Sequence, residues 1–305
     1  MDYFKIFSDS IKLWWKNKFL WILGIIAVIF GGGGSGGFAN FPSLGNISDK
    51  DLKYLDTQQI SSFILSPLFL IVILVALIVV LFFFALGIFL KSRADASIIS
   101  STEKLRKNNS LSFGEMWTLS KTKWLKLFWL NALVDLPILV IVLFMIIGVV
   151  ILVFSLINGG SPLIWIALFF FVISMLCLMT IYGVIARVVY TFAARISVLQ
   201  NKGVMECIKE GWKFTLKNIS HLIVFWVLFL LVSFVTGLII FILTIFILPI
   251  IFVIGIPLLL INVILGILVF IVLFCLFGII MILISGPIYS FTEAYWTIVY
   301  LELTK

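Results

Sequence analysis

Six long apolar segments constrain this chain more than any other feature of its sequence. They cover residues 19–38, 63–90, 127–157, 163–186, 219–248 and 258–285. A helix needs about 20 apolar residues to cross the hydrocarbon core of a bilayer. Because 64% of the 305 residues are hydrophobic, no soluble interior of this size could bury them. The sequence therefore predicts an all-α polytopic membrane protein with six transmembrane helices in one domain, residues 1–305.

The basic residues that flank these segments predict the orientation of the chain. Nineteen of the 21 lysines and arginines lie on one side, and Lys50 and Lys53 lie on the other. The positive side of a membrane protein faces the cytoplasm, so both termini are predicted to be cytoplasmic and the chain to be a multipass protein of the cell membrane. This distribution explains the net charge of +8 better than nucleic-acid binding does. The first segment also fits a cleavable signal peptide, but the amphipathic residues before it favour a retained span.

Three short stretches repeat at a spacing of 100 residues. Residues 94–99 read Ala-Asp-Ala-Ser-Ile-Ile, residues 194–199 read Ala-Arg-Ile-Ser-Val-Leu, and residues 294–299 read Ala-Tyr-Trp-Thr-Ile-Val. The hydroxyl residue of each stretch is Ser97, Ser197 or Thr297. We interpret the chain as three helical hairpins with repeat units of roughly 1–100, 101–200 and 201–305. Parallel repeats of this kind predict a pseudo-threefold arrangement about the membrane normal.

An amphipathic segment precedes the odd-numbered spans. In the first one, Phe4, Phe7, Ile11 and Trp14 are predicted to share a face opposite the lysines. Such helices lie in the headgroup plane, either as structural elbows or as sensors of anionic lipid. The anchors that align the three segments are Trp14, Trp124 and Thr215, each followed two residues later by a lysine. The candidate headgroup contacts are Lys12, Lys16, Lys126, Lys213 and Lys217.

Asp135 is the acidic residue inside a predicted span, which makes it a candidate for function. It lies 23 residues before the polar turn that begins at Asn158, roughly 34 Å along a helix. Arg187 reaches a similar depth on the partner helix, so we predict an intramembrane ion pair between them. Alternatively, Asp135 caps a helix that restarts near Pro137, or it handles a proton or substrate.

The link between the last two predicted spans, residues 249–257, is apolar throughout. Exposed backbone is tolerated in lipid only where protein or water covers it. The link is therefore predicted to dip into the outer leaflet or to contact a partner, including a second copy of the chain. The glycine run Gly31–Gly37 is interpreted as a flexible helix exit rather than a phosphate loop. No metal or cofactor is expected, since the cysteines and the single histidine are far apart.

Two stretches resemble a known group of membrane proteins. Residues 13–21 read Leu-Trp-Trp-Lys-Asn-Lys-Phe-Leu-Trp and precede a glycine run, and residues 295–303 read Tyr-Trp-Thr-Ile-Val-Tyr-Leu-Glu-Leu. Both are similar to uncharacterised multipass prokaryotic membrane proteins related to the membrane domain of glycerophosphodiester phosphodiesterases. The catalytic barrel of those enzymes is absent here. The resemblance implies a free-standing membrane domain without their activity.

The leading functional hypothesis is a non-enzymatic module that binds membrane lipids, including anionic ones, or a partner protein. The competing hypothesis is a small transporter or channel whose path along the repeat axis is lined by Ser97, Ser197 and Thr297. A conducting path usually requires more polar lining than these spans offer. An intramembrane enzyme would require a cluster of polar side chains that the sequence does not assemble.

Overall fold

The computed structural model describes residues 2–31, 67–107, 110–157 and 163–305, and the regular secondary structure in these ranges is α-helical. The described helices are α1 Tyr3–Lys16, α2 Phe19–Phe30, α3 Pro67–Arg106, α4 Phe113–Leu119, α5 Trp124–Ile157, α6 Leu163–Gln200, α7 Val204–Lys217, α8 Ile219–Ile261 and α9 Val263–Leu303. The predicted all-α class is confirmed for this part of the chain.

Four of these helices, α5, α6, α8 and α9, are long and apolar enough to cross a membrane. Helices α1 and α2 meet at a bend of 90° and together form a fifth candidate span. The large apolar side chains of these helices point outward, as in Phe234 and Val253. Lipid must replace water around such a surface. The end of the first predicted span, after Gly31, and the start of the second, before Pro67, lie outside the described residues.

The predicted link at residues 249–257 is wrong, because these residues are helical. Pro249 and Pro257 lie inside α8, and the chain turns at Asn262. A helix pairs its own backbone groups in lipid, whereas an apolar turn would leave them unpaired. Asn262 supplies the polar groups at the turn, since its side-chain oxygen accepts from the backbone N–H of Leu265 at 3.1 Å. Helix α8 therefore has 43 residues and measures about 65 Å.

The packed core lies at one end of the bundle, where α3, α6 and α9 contact one another. Ala94, Ala194 and Ala294 from the three repeated stretches are all 1% exposed or less. We call this region the packed end. Its helix segments continue beyond the apolar segments predicted from the sequence, so protein rather than lipid covers them.

Three shorter helices surround the packed end. Helix α1 packs against α9, α4 packs against α3, and α7 packs against α6. The indole N–H of Trp14 in α1 donates to the carbonyl oxygen of Pro287 at 3.0 Å and to Ser290 Oγ at 3.1 Å. Tyr3 Oη lies 2.7 Å from His221 Nδ1 of α8, so α1 is held on two sides.

The face that α1 buries differs from the predicted one. Ile6 and Ser10 are buried, and Phe7 packs against the core, but Phe4 and Ile11 are exposed. Because α9 covers one side of α1, the predicted apolar stripe is divided. Part of it packs on protein, and the rest remains free to contact lipid.

Candidate functional site

The repeated hydroxyl residues lie inside the packed end. Ser97, Ser197 and Thr297 are all 1% exposed or less. Ser97 Oγ donates to the carbonyl oxygen of Arg93 at 2.9 Å, and Thr297 Oγ1 donates to that of Glu293 at 2.7 Å. Bonding to the preceding helical turn allows a hydroxyl to be buried without another partner. These two contacts keep the hydroxyls of Ser97 and Thr297 paired inside packed protein.

A buried ion pair joins α6 to α9 beside these hydroxyls. Arg195 Nη2 lies 2.7 Å from Glu293 Oε2 and donates to the Glu293 carbonyl oxygen at 3.0 Å. Arg195 Nη1 donates to the carbonyl oxygen of Thr191 at 2.5 Å. Removing one partner of such a pair leaves an uncompensated buried charge. Sequence reasoning missed this pair, although Arg195 stands inside a repeated stretch and Glu293 directly precedes another.

A second buried carboxylate, Asp95 of α3, lies close to the ion pair. It accepts a hydrogen bond from Tyr289 Oη of α9 at 2.8 Å and is 2% exposed. The guanidinium of Arg187 on α6 interacts electrostatically with Tyr289, Glu293 and Asp95. Ionisable groups from three helices therefore meet at the packed end, two of them on stretches that the repeat had singled out.

Asp135 lies on an exposed face of α5, and its charge acts on Tyr182 of α6. Tyr182 Oη donates to the carbonyl oxygen of Val134 at 3.0 Å and so holds the two helices together. The pair of Asp135 with Arg187 is not among the ion pairs of the described residues, and it stays a prediction. Helix α5 continues through Pro137, so Asp135 lies within a helix and not at its start.

A cavity of about 420 Å³ lies between α6 and α8, with α9 as its floor. Arg187, Thr191 and Glu293 are among its polar lining residues and lie near the ionisable groups described above. The remainder of the cavity is lined largely by apolar and aromatic side chains such as Phe229 and Ile240. Pockets of this size hold small molecules, with a few polar groups that fix the orientation of the ligand.

A second cavity, of about 690 Å³, lies between α1 and the ends of α3 and α9. Asp9, Lys12 and Lys16 line it from α1. Arg106 of α3 and Glu302 of α9 form an ion pair in its wall. The mixed signs of charge in this cavity suit no single class of ion. Neither of the two cavities is lined by Ser97, Ser197 or Thr297.

The five candidate headgroup lysines divide into two groups. Lys12, Lys16, Lys213 and Lys217 are exposed on α1 and α7. Lys126 of α5 instead donates to the Asn201 carbonyl oxygen at 2.8 Å and to Asn201 Oδ1 at 2.9 Å. Asn201 has a φ of 59°, in the left-handed region that ends many helices. Lys126 therefore stabilises the turn between α6 and α7.

Replacing Lys126 with glutamine should lower the free energy of unfolding by about 0.5–1 kcal/mol, because two charge-assisted hydrogen bonds to the turn are lost near the surface. Lys213→Gln is the matched control, since Lys213 is exposed and should leave stability unchanged. Unfolding in mixed detergent micelles measures both variants. Equal stability of the two variants would contradict the structural role of Lys126.

The described residues contain no cluster of three or more His, Cys, Asp or Glu side chains with the spacing of a metal site. Cys207 of α7 is buried, and this burial raises the pKa of its thiol. A raised pKa lowers the thiolate fraction and hence the reactivity of a cysteine at neutral pH. The structure thus places Cys207 among packing residues.

Long apolar helices with outward-facing side chains, joined at a packed polar end, define an α-helical membrane protein. The chain belongs to a family of unknown function, DUF7544, whose model matches residues 13–304. No curated protein matches the chain, and no solved structure matches it. The similarity to the membrane domain of glycerophosphodiester phosphodiesterases stays an expectation from the sequence.

Proposed function

We propose that this protein is a non-enzymatic membrane module that binds lipid headgroups at its packed end. In this proposal the chain crosses the cell membrane six times as three hairpins, with the packed end and both termini in the cytoplasm. The excess of lysine and arginine on that side supports the orientation. The following observations support the repeat and the headgroup contacts.

The start of each repeat unit has corresponding features in the structure. Asp2, Ser112 and Gly203 are the N-cap residues of α1, α4 and α7. In this register, equivalent positions further along each unit are also buried. Ser10 is buried, and so are Ser120 and Gly211, which lie 110 and 201 residues after it. The register agrees with the alignment of Trp14, Trp124 and Thr215. Equivalent positions therefore begin a helix and pack inward in all three units.

The packing order supports a pseudo-threefold arrangement. The short helix that starts each unit packs against the last helix of the preceding unit, and α1 of the first unit packs against α9 of the third. A cyclic order of this kind is expected when three similar units surround an axis. The middle unit differs in that its short helix ends at Leu119, so Trp124 begins the long helix α5, whereas Trp14 and Thr215 lie inside the short helices α1 and α7.

The observation that carries the lipid-binding proposal is an exposed apolar residue followed by a lysine in each unit. Trp15, Leu125 and Leu216 occupy equivalent positions and are 60%, 49% and 50% exposed. Each directly precedes a lysine, although Lys126 of the middle unit bonds to Asn201. An apolar side chain that enters the acyl region beside a lysine at headgroup level is typical of an interfacial helix. Each lysine near an anionic surface contributes about 1 kcal/mol of attraction.

Native mass spectrometry of the protein released gently from its membrane tests this proposal. We expect anionic phospholipid to be retained in a fixed ratio. Replacing Lys12, Lys16, Lys213 and Lys217 together with glutamine should reduce the retained anionic lipid at least tenfold and leave neutral lipid unchanged, because the charge attraction is lost. The matched control is Lys107→Gln, an exposed lysine that directly follows α3 and pairs with Glu103 of that helix. Equal retention by the quadruple variant and the control would contradict the proposal.

The same spectra test self-association through residues 249–257. Helix α8 is about twice as long as the hydrocarbon core is thick, about 30 Å, and stays apolar to its end. Ile250, Val253 and Ile254 are exposed there. A second copy of the chain would cover this surface, and a dimer mass is the expected result. A monomer under all gentle conditions would contradict self-association.

The transporter hypothesis receives less support. Its axis-lining residues Ser97, Ser197 and Thr297 are packed against protein, and Arg195 and Glu293 form an ion pair next to them. A conducting path needs space and polar lining along the axis. The cavity between α6 and α8 is lined by none of the three hydroxyl residues, and its largely apolar walls favour an apolar ligand over a conducting path.

A further inference from the structure

The three hairpins α2–α3, α5–α6 and α8–α9 meet along three seams. Helix α9 packs closely against α2, and α3 packs closely against α5, which closes two of the seams. The third seam lies between α6 and α8 and contains the cavity of about 420 Å³. If the three units are equivalent, this seam is the position at which a further component would complete the packing.

The dimensions of the seam fit one leaflet of a bilayer. Along α8 the cavity extends from Trp226 to Ile240, a distance of about 21 Å. Half of the hydrocarbon core is about 15 Å thick. The cavity starts beside the packed end and continues into the apolar part of the bundle. Phe192, Trp226 and Trp296 line the end beside the packed end, and Ile240 lines the far end. An acyl chain that extends from Arg187 toward Ile240 therefore occupies only part of the cavity.

Arg187 supplies a cationic group near Tyr289, part of the way along the seam. Its side chain is exposed to the cavity, and among the described residues its guanidinium has no hydrogen bond and no ion pair within 4.0 Å. The neighbouring acidic groups already have partners, since Glu293 pairs with Arg195 and Asp95 accepts from Tyr289. A guanidinium at the edge of the hydrocarbon requires an acceptor. Phosphate oxygens match its planar array of donors.

We propose that the α6–α8 seam binds one anionic phospholipid, with its phosphate on Arg187 and one acyl chain between α6 and α8. This inference rests on the proposed lipid-binding function and names one specific site for it. The aromatic and aliphatic walls favour a lipid over a free anion, because a small anion would leave them uncovered. Thr191 and Thr292 also line the cavity, and each donates its hydroxyl to a carbonyl oxygen of its own helix.

Two substitutions separate the headgroup contact from the chain contact. Arg187→Gln removes the charge and keeps a shorter polar side chain. Gly237→Leu fills the seam, because Gly237 lines the cavity and no heavy atom lies within 4 Å of a Cβ added there. Gly278→Leu is the matched control: its Cβ position on α9 is equally open, and Gly278 does not line the cavity.

The test titrates delipidated full-length protein with phosphatidylglycerol or phosphatidylcholine and counts bound lipids by native mass spectrometry. We expect one phosphatidylglycerol to bind the wild type more tightly than the rest. Arg187→Gln should weaken this lipid at least tenfold without affecting phosphatidylcholine. Gly237→Leu should weaken it to a similar degree, and Gly278→Leu should bind like the wild type. Wild-type affinity in both seam variants would overturn the proposal.

Two further measurements distinguish lipid binding in the seam from binding of a free anion and from binding to the exposed lysines. Millimolar inorganic phosphate should not displace the tight lipid, and displacement would overturn the proposal in favour of a free-anion site. The quadruple lysine variant should lose the weaker phosphatidylglycerol molecules and keep the tight one. Loss of the tight lipid in that variant alone would support the headgroup surface and overturn the seam. Equal melting temperatures of all variants establish that binding, and not folding, has changed.

Discussion

Replacing Arg195 with methionine should destabilise the protein by about 3–5 kcal/mol. The arginine is 1% exposed, and its removal leaves the Glu293 carboxylate in the packed end without its ion-pair partner. It also removes the hydrogen bonds that Arg195 donates to the carbonyl oxygens of Thr191 and Glu293. The measurement is the free energy of unfolding in mixed detergent micelles.

The control for this prediction is the double variant Arg195→Met with Glu293→Leu. Two apolar side chains of similar volume remove both charges, and replacing a complete buried pair is often close to neutral. The double variant should therefore recover most of the lost stability, and the two substitutions should be strongly non-additive. Additive losses would show that the two residues act separately and that the ion pair does not join α6 to α9.

The second large effect is expected where α2 crosses α9. A Cβ atom on Gly286 would lie 2.6 Å from the Cα and 2.7 Å from the backbone nitrogen of Ile25. A Cβ atom on Gly24 would lie 2.8 Å from Ser290 Cβ and would overlap the carbonyl oxygen of Gly286. Because the obstructing atoms are mostly backbone, they cannot rotate away. Small residues allow membrane helices to approach this closely.

Gly286→Val should therefore separate α2 from α9 and destabilise the protein by about 3 kcal/mol, near the upper end of the range for overpacking. Gly278→Val is the matched control on the same helix, since no heavy atom lies within 4 Å of its added Cβ. Both substitutions change the intrinsic helix propensity by the same amount. The difference between their unfolding midpoints therefore reports the contact between α2 and α9. Thermal unfolding in detergent measures both, and equal midpoints would contradict a close contact between α2 and α9.

The helical class could be predicted because lipid leaves few choices to a backbone. An apolar segment in hydrocarbon must satisfy its own N–H and C=O groups, so length and composition identify a helix. The helix boundaries were less predictable. Residues 249–257 contain two prolines and were predicted as a link, yet α8 continues through them to Asn262. The sequence could not decide between a link and a continuous helix. Prolines are found at turns but are also tolerated within membrane helices, and the apolar run has no polar break to mark where a turn would lie.

The candidate site was predictable only in part. The repeat singled out the stretches that hold Asp95 and Arg195, and both residues are buried at the packed end. Their partners could not be predicted, because Tyr289 and Glu293 come from α9 and no local pattern relates them to α3 or α6. Arg187 was named as a candidate because its predicted depth in the membrane is similar to that of Asp135. Its position in an open seam depends on how far apart α6 and α8 lie, and helix depth carries no information on that.

The sequence by itself determined that this protein is a helical membrane protein, and its charge pattern predicts which side carries most of the positive charge. Hydrophobicity and charge act residue by residue, so composition and order are sufficient to predict them. The tertiary structure decided which polar groups are paired, which glycines separate two backbones and which seam remains open. Those properties depend on distances of a few ångströms between helices far apart in the chain, and the packing of the whole bundle sets these distances.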